Sequence, residues 1–86
     1  MLSIQEIMNE VSSIKEYSER LSTEIGQSNV ELAEKTSKIS ALVQGSRNGQ
    51  DAVVALSVAL RSLADAISSM RELNKTCESC IEKLTK

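Results

Sequence analysis

From Ile4 onward the apolar residues return at alternating spacings of three and four. The positions are Ile4, Ile7, Val11, Ile14, Ser18, Leu21, Ile25, Ser28, Leu32, Lys35, Ile39 and Leu42, and all but Ser18, Ser28 and Lys35 are apolar. This is a heptad seam, with Val11 and Ile25 at a positions and Ile14 and Leu21 at d positions, and it predicts one long helix. Ser3-Ile4-Gln5-Glu6 has the form of a capping box, with Leu2 and Ile7 placed for a hydrophobic staple, so the helix is expected over about 3–44. Gly26 falls inside it without a register skip. It is read as a weak point or slight bend, with a break into a three-helix arrangement as the alternative.

Gly45-Ser46-Arg47-Asn48-Gly49 is the one strong punctuation. Gly45 suits the left-handed position past a helix end, Ser46 or Asn48 suits an N-cap, and Asp51 is expected in the first turn of the next helix. The turn is placed at about 45–48 and the second helix at about 49–84. Its seam runs Val53, Leu56, Leu60, Leu63, Ile67, Met70, Asn74, Cys77, Ile81 and Leu84, apolar except at Asn74. Asn74 is either a polar residue that fixes register or one tilted to the surface near a fraying end. Two helices of about 60 Å joined by a tight turn must lie antiparallel, so the expected fold is an all-α two-helix hairpin. Leu21, Leu60, Leu63 and Ile67 are expected to matter most for stability.

The second helix carries an extra apolar row, Ala52, Ala59, Ala66, Leu73 and Cys80, at g positions seven residues apart. The g row of the first helix is Ser3, Glu10, Tyr17, Glu24, Glu31 and Lys38 and cannot cover it. Ala59, Ala66, Leu73 and Cys80 are therefore the expected partner interface, to be covered by another hairpin in a four-helix bundle.

Composition supports thin helical layers. Pro, Trp, Phe and His are absent and Tyr17 is the only aromatic residue, so no thick ring-filled core is available. Up to Gln44 there are seven Glu against four Lys/Arg, hence −3; beyond it, six Lys/Arg against five Asp/Glu, hence +1. Neither half has the basic footprint of a nucleic-acid binder. The longest unbroken apolar run, Ala52 to Leu56, is far too short to span a membrane. The N-terminus lacks the charged and apolar regions of a conventional signal peptide. A cytoplasmic location is expected, with export by a route that reads no such peptide as the alternative.

Without His, no Ser-His-Asp or Cys-His arrangement can be built, and an enzyme is not expected. Glu6-Glu10 and Glu31-Glu34 read as solvated surface. Cys77-Glu78-Ser79-Cys80 is a C-x-x-C, but zinc would need two further ligands and a thioredoxin-like site would need a strand before it. The preferred reading is packing, with Cys77 and Cys80 as small apolar residues; a redox or disulfide role and a metal role rank below it. No cofactor or metal is expected.

Two equal helices, a Gly at a central turn and an uncovered apolar row resemble the WXG-motif family of small type VII secretion proteins. The matching turn residues are Val43-Gln44-Gly45. Val43 stands where that family has Trp, and no Tyr follows Tyr17 to supply its C-terminal Tyr-x-x-x-Asp/Glu signal. Such a chain is most similar to the small helical companions of LXG-domain toxins. The resemblance implies a helical partner, either a second copy or the N-terminal helical domain of a secreted toxin. A coiled-coil adaptor or assembly subunit unrelated to secretion is the alternative.

Overall fold

The computed structural model describes residues 3–86 as two α-helices of 39 residues each, α1 (Ile4–Leu42) and α2 (Arg47–Thr85). They pack antiparallel along their length into a hairpin of 62 × 20 × 15 Å, and the long dimension is that of a 39-residue helix. The all-α hairpin expected from the two heptad patterns is therefore the observed fold. Gly26 does not interrupt α1.

Ser3 caps α1: its hydroxyl accepts from the Glu6 amide at 3.1 Å. The same hydroxyl lies 3.3 Å from Glu6 Oε1, so the Glu6 carboxylate returns to the Ser3 side chain, where the sequence suggested the Ser3 amide. The expected staple involves Leu2, which lies outside the described residues.

The turn sits two residues earlier than expected. α1 ends at Leu42, where the Val43 amide closes the last turn on the Ile39 carbonyl. The Ser46 amide donates to the Val43 carbonyl at 2.9 Å across Gly45, whose φ of +85° is the left-handed value a glycine adopts at least cost. Ser46, not Asn48, is the N-cap of α2, its hydroxyl accepting from the Gly49 amide at 3.2 Å. The early start of α2 leaves Asp51 beyond the first turn, which holds no acidic residue.

The α2 seam is as the heptads imply: each residue from Val53 through Leu84 in the 3-4 series is half-buried or buried. The α1 seam is not. Its a positions Val11, Ser18, Ile25, Leu32 and Ile39 are half-buried or buried, with Ile4 60 % exposed, but among its d positions only Ile7 and Leu21 are half-buried; Ser28 and Lys35 are exposed, Ile14 is 48 % exposed and Leu42 83 %. The e row takes their place, with Met8, Lys15, Ser22, Asn29, Thr36 and Val43 half-buried or buried.

Polar contacts across the hairpin accompany this arrangement. Asn29 Nδ2 donates to the Leu60 carbonyl at 3.1 Å, and the Ser18 hydroxyl lies 3.4 Å from the Met70 carbonyl oxygen. Short polar side chains that reach the neighbouring backbone let the helices approach closely, and they satisfy themselves in doing so. Thr36 bonds back to the Leu32 carbonyl of its own helix at 2.7 Å. The Lys15 ammonium bridges Glu78 on α2 and Glu19 on α1, both at 3.3 Å. Those contacts, the Glu78 hydrogen bond foremost, raise the Lys15 pKa above its usual value.

The interior is thin. Among the described residues only Ser18, Thr36 and Cys77 are buried, while Leu21, Leu60, Leu63 and Ile67 are each half-buried. The accessible surface is 6515 Å² for a 9.4 kDa chain. A compact protein of that mass would expose about 5000 Å². The excess of roughly 1500 Å² is that of an elongated pair of helices packed on one side only.

Candidate docking face

The two long edges of the hairpin differ. One is marked by the Lys15–Glu78 ion pair, in which both residues occupy e positions. On this edge Glu19, Ser22, Thr23 and Gly26 of α1 border Ile67, Arg71 and Asn74 of α2. It is a polar, charged edge. Ser22 Oγ and Asn74 Oδ1 are enclosed here without a hydrogen-bond partner.

The opposite edge joins the outward-turned d row of α1 to the g row of α2. A shallow depression lined by Ser28, Glu31 and Lys35 of α1 together with Leu63 of α2 lies on it. The g row of α2 flanks its d positions on the side away from Arg71 and Glu78, so it borders the same α1 flank. Of the expected interface residues, Ala59, Ala66 and Cys80 are half-buried by the hairpin itself, and Leu73 is 39 % exposed. Ala52, at the turn end of the row, is exposed.

Ile7, Ile14 and Leu21 complete the apolar part of this face from the α1 side, with Tyr17 beside them at 62 % exposure. The Tyr17 ring carries the Arg20 guanidinium 5.8 Å from its centroid. The sequence pattern placed Ile14 inside the hairpin seam, where it is instead 48 % exposed, whereas Leu21, placed there too, is half-buried. A signal was present: Lys15, Ser22, Asn29 and Thr36 recur every seven residues as short or amphipathic polar side chains, able to line a close helix contact.

The vertical register follows from the cross-hairpin contacts. Ser18 meets Met70, Lys15 meets Glu78 and Asn29 meets Leu60. Ile14 is therefore level with the stretch between Leu73 and Cys80, and Leu21 with the stretch between Ala66 and Leu73. The face grades along its length. Large apolar residues of α1 stand beside small ones of α2 in the half near the termini, while Ser28 and Lys35 interrupt the row in the half near the turn.

The turn residues Val43 and Gly45 act structurally. Val43 is half-buried and packs against Gly49, where an added methyl would overlap the Val43 side chain. Gly49 was not singled out for this role from sequence. Val43 also lines a cleft at the turn end with Ser40, Gln44, Gln50, Val53 and Val54.

Cys77 is buried in the helix contact, Cys80 is half-buried, and both are free thiols. Cys80 lies in an open surface groove with Lys75, Thr76, Ser79, Lys83 and Leu84. Among the described residues no group of three or more His, Cys, Asp or Glu side chains is placed to hold a metal ion. By length and composition alone α2 is apolar enough to cross a membrane, a property the short unbroken apolar runs concealed. The core helix of a soluble protein passes the same test.

No protein-family model, curated protein or solved structure matches this chain.

Proposed function

We propose that this chain is a non-enzymatic docking subunit, a helical hairpin that presents one long edge to another helical protein. The observation that carries the reading is the asymmetry of the two edges: one is closed by an ion pair and charged side chains, the other displays Ile14, Leu73 and Tyr17 to solvent. Soluble proteins often cover an exposed apolar patch of this kind, here in the half near the termini, with a partner. The surface excess of the isolated hairpin supports the same reading.

The resemblance to the WXG-motif proteins supplies the class of partner to test first: a helical protein encoded beside it, such as the N-terminal helical domain of an LXG-type toxin, which the hairpin would escort to type VII export. Val43 in place of Trp and the lack of any Tyr after Tyr17 favour, as a second reading, an assembly adaptor with the same surface and no part in secretion. The test is co-expression of the chain with helical proteins encoded next to it, followed by size-exclusion chromatography of the purified pair. Co-elution abolished by Ala66→Glu, with helicity retained by circular dichroism, supports docking through this edge. A hairpin that binds none of them and does not self-associate overturns it.

A further inference from the structure

The Asn48-Gly49 dipeptide at the hairpin turn has a chemistry of its own, separate from docking. We infer that Asn48 is a self-modifying site, where the turn slowly converts an amide to a carboxylate at a rate set by the Ser46 cap. Asn48 is exposed and is the second residue of α2. The residue after it carries the chemistry. A backbone nitrogen attacks the carboxamide of a preceding asparagine most readily when no side chain on its own residue crowds the approach, and glycine has none. Gly49 has no room for a larger residue, because an added methyl would overlap the Val43 side chain. The packing that closes the turn thus keeps the most reactive neighbour beside Asn48.

The steps balance with water alone. The Gly49 nitrogen bonds to the carboxamide carbon of Asn48 and gives up its proton to solvent. The amide nitrogen takes a proton and leaves as ammonia. Water then opens the five-membered imide at either carbonyl. One opening gives aspartate on the ordinary backbone, the other an isoaspartate whose former side-chain carbons carry the main chain. In the closed turn the Gly49 amide is held instead by Ser46, donating to its Oγ at 3.2 Å, and Asn48 has helical backbone. Ring closure therefore waits on opening of the first turn of α2, a local event at an exposed end.

The two products act on the turn in opposite directions. The first turn of α2 has no acidic residue, so an aspartate at position 48 adds the missing negative charge at the positive end of the helix. Isoaspartate lengthens the main chain by one carbon between Ser46 and Gly49. That displaces Gly49 from both the Ser46 hydroxyl and the Val43 side chain.

The test incubates the full chain in warm, mildly alkaline buffer. Peptide mass mapping reads the mass gain of an amide turned to an acid at each asparagine. Asn48 is expected to convert well before Asn9, Asn29 and Asn74, which lie inside the helices and are followed by Glu10, Val30 and Lys75. Ser46→Ala should speed the conversion about fivefold, the factor by which loss of one cap favours opening. Unfolding the wild type in urea should speed it further, which reads the control exerted by the fold without any variant. The separated aspartate form should melt above the fresh chain and the isoaspartate form below it. Conversion of Asn48 no faster than that of Asn29 would overturn the site. A native rate equal to that in urea, or one unchanged by Ser46→Ala, would overturn control by the cap.

Discussion

Val43 closes on Gly49 so tightly that the hairpin turn has no room for a side chain at position 49. Gly45 supplies the left-handed backbone, but the contact of Val43 with Gly49 brings the end of α1 down onto the first turn of α2. The two glycines therefore have different tasks, one conformational and one steric.

Gly49→Ala should destabilise the hairpin by about 1–3 kcal/mol, the usual range for overpacking a filled site. Val43→Ala removes the methyl groups that would collide, so the double variant should recover much of that loss. Denaturant melts of the two single variants and the double variant give the coupling. Simple additivity would mean the close approach is not what position 49 requires.

Gly26 presents the opposite case. It lies within continuous α1, its φ is not positive, and a Cβ there would meet no atom within 4 Å. Gly26→Ala should raise stability by about 0.5–1 kcal/mol, because the glycine only enlarges the freedom of the unfolded chain. A thermal melt showing a loss would mean that α1 needs to bend at this point.

The two helices and the side of α2 that faces inward were legible from spacing alone, while the ends at the turn lie two residues earlier than expected. In α2 the a and d positions, apolar but for Asn74, are all half-buried or buried, while Val54 and Val58 outside the seam are exposed. In α1 burial does not follow the seam in this way, because Ser22, Asn29 and Thr36 lie in the contact while Ile14 lies outside it. A heptad assignment that ranks positions by hydrophobicity assumes one neighbour per helix. It fails where a helix divides its apolar residues between the neighbour it has and another face. The turn shifted for a local reason: Ser46 competes with Asn48 for the cap and wins because its hydroxyl reaches the Gly49 amide.

Asn74 illustrates a cost of the polar edge. Its Oδ1 is enclosed yet unpartnered, as is Ser22 Oγ in the same cleft. Asn74→Leu should stabilise the hairpin by about 1 kcal/mol, the desolvation penalty of an unpaired acceptor. If Asn74 fixes register, the same variant should also broaden the methyl resonances of its NMR spectrum through exchange between registers. Lower stability with sharp spectra would mean that Asn74 has a partner the static hairpin does not display.

Leu63 connects the hairpin seam to the docking edge, and its energetic weight should depend on whether that edge is covered. In the single hairpin it is only half-buried and borders the depression formed with Ser28, Glu31 and Lys35. A fully buried leucine truncated to alanine costs about 2–5 kcal/mol, so a half-buried one should cost roughly 1–2 kcal/mol. Covering the docking edge would complete its burial and raise the cost toward the upper range. With a partner bound over that edge, Leu63→Ala should therefore lose more stability than in the separate hairpin; if the partner is a second copy, the loss grows with chain concentration. The measurement is urea denaturation followed by circular dichroism, with and without a bound partner and across a wide range of chain concentration, for wild type and for the variant. A cost that is the same under all these conditions would place Leu63 in the hairpin seam alone. A cost near zero throughout would remove it from the seam and refute the heptad assignment of α2.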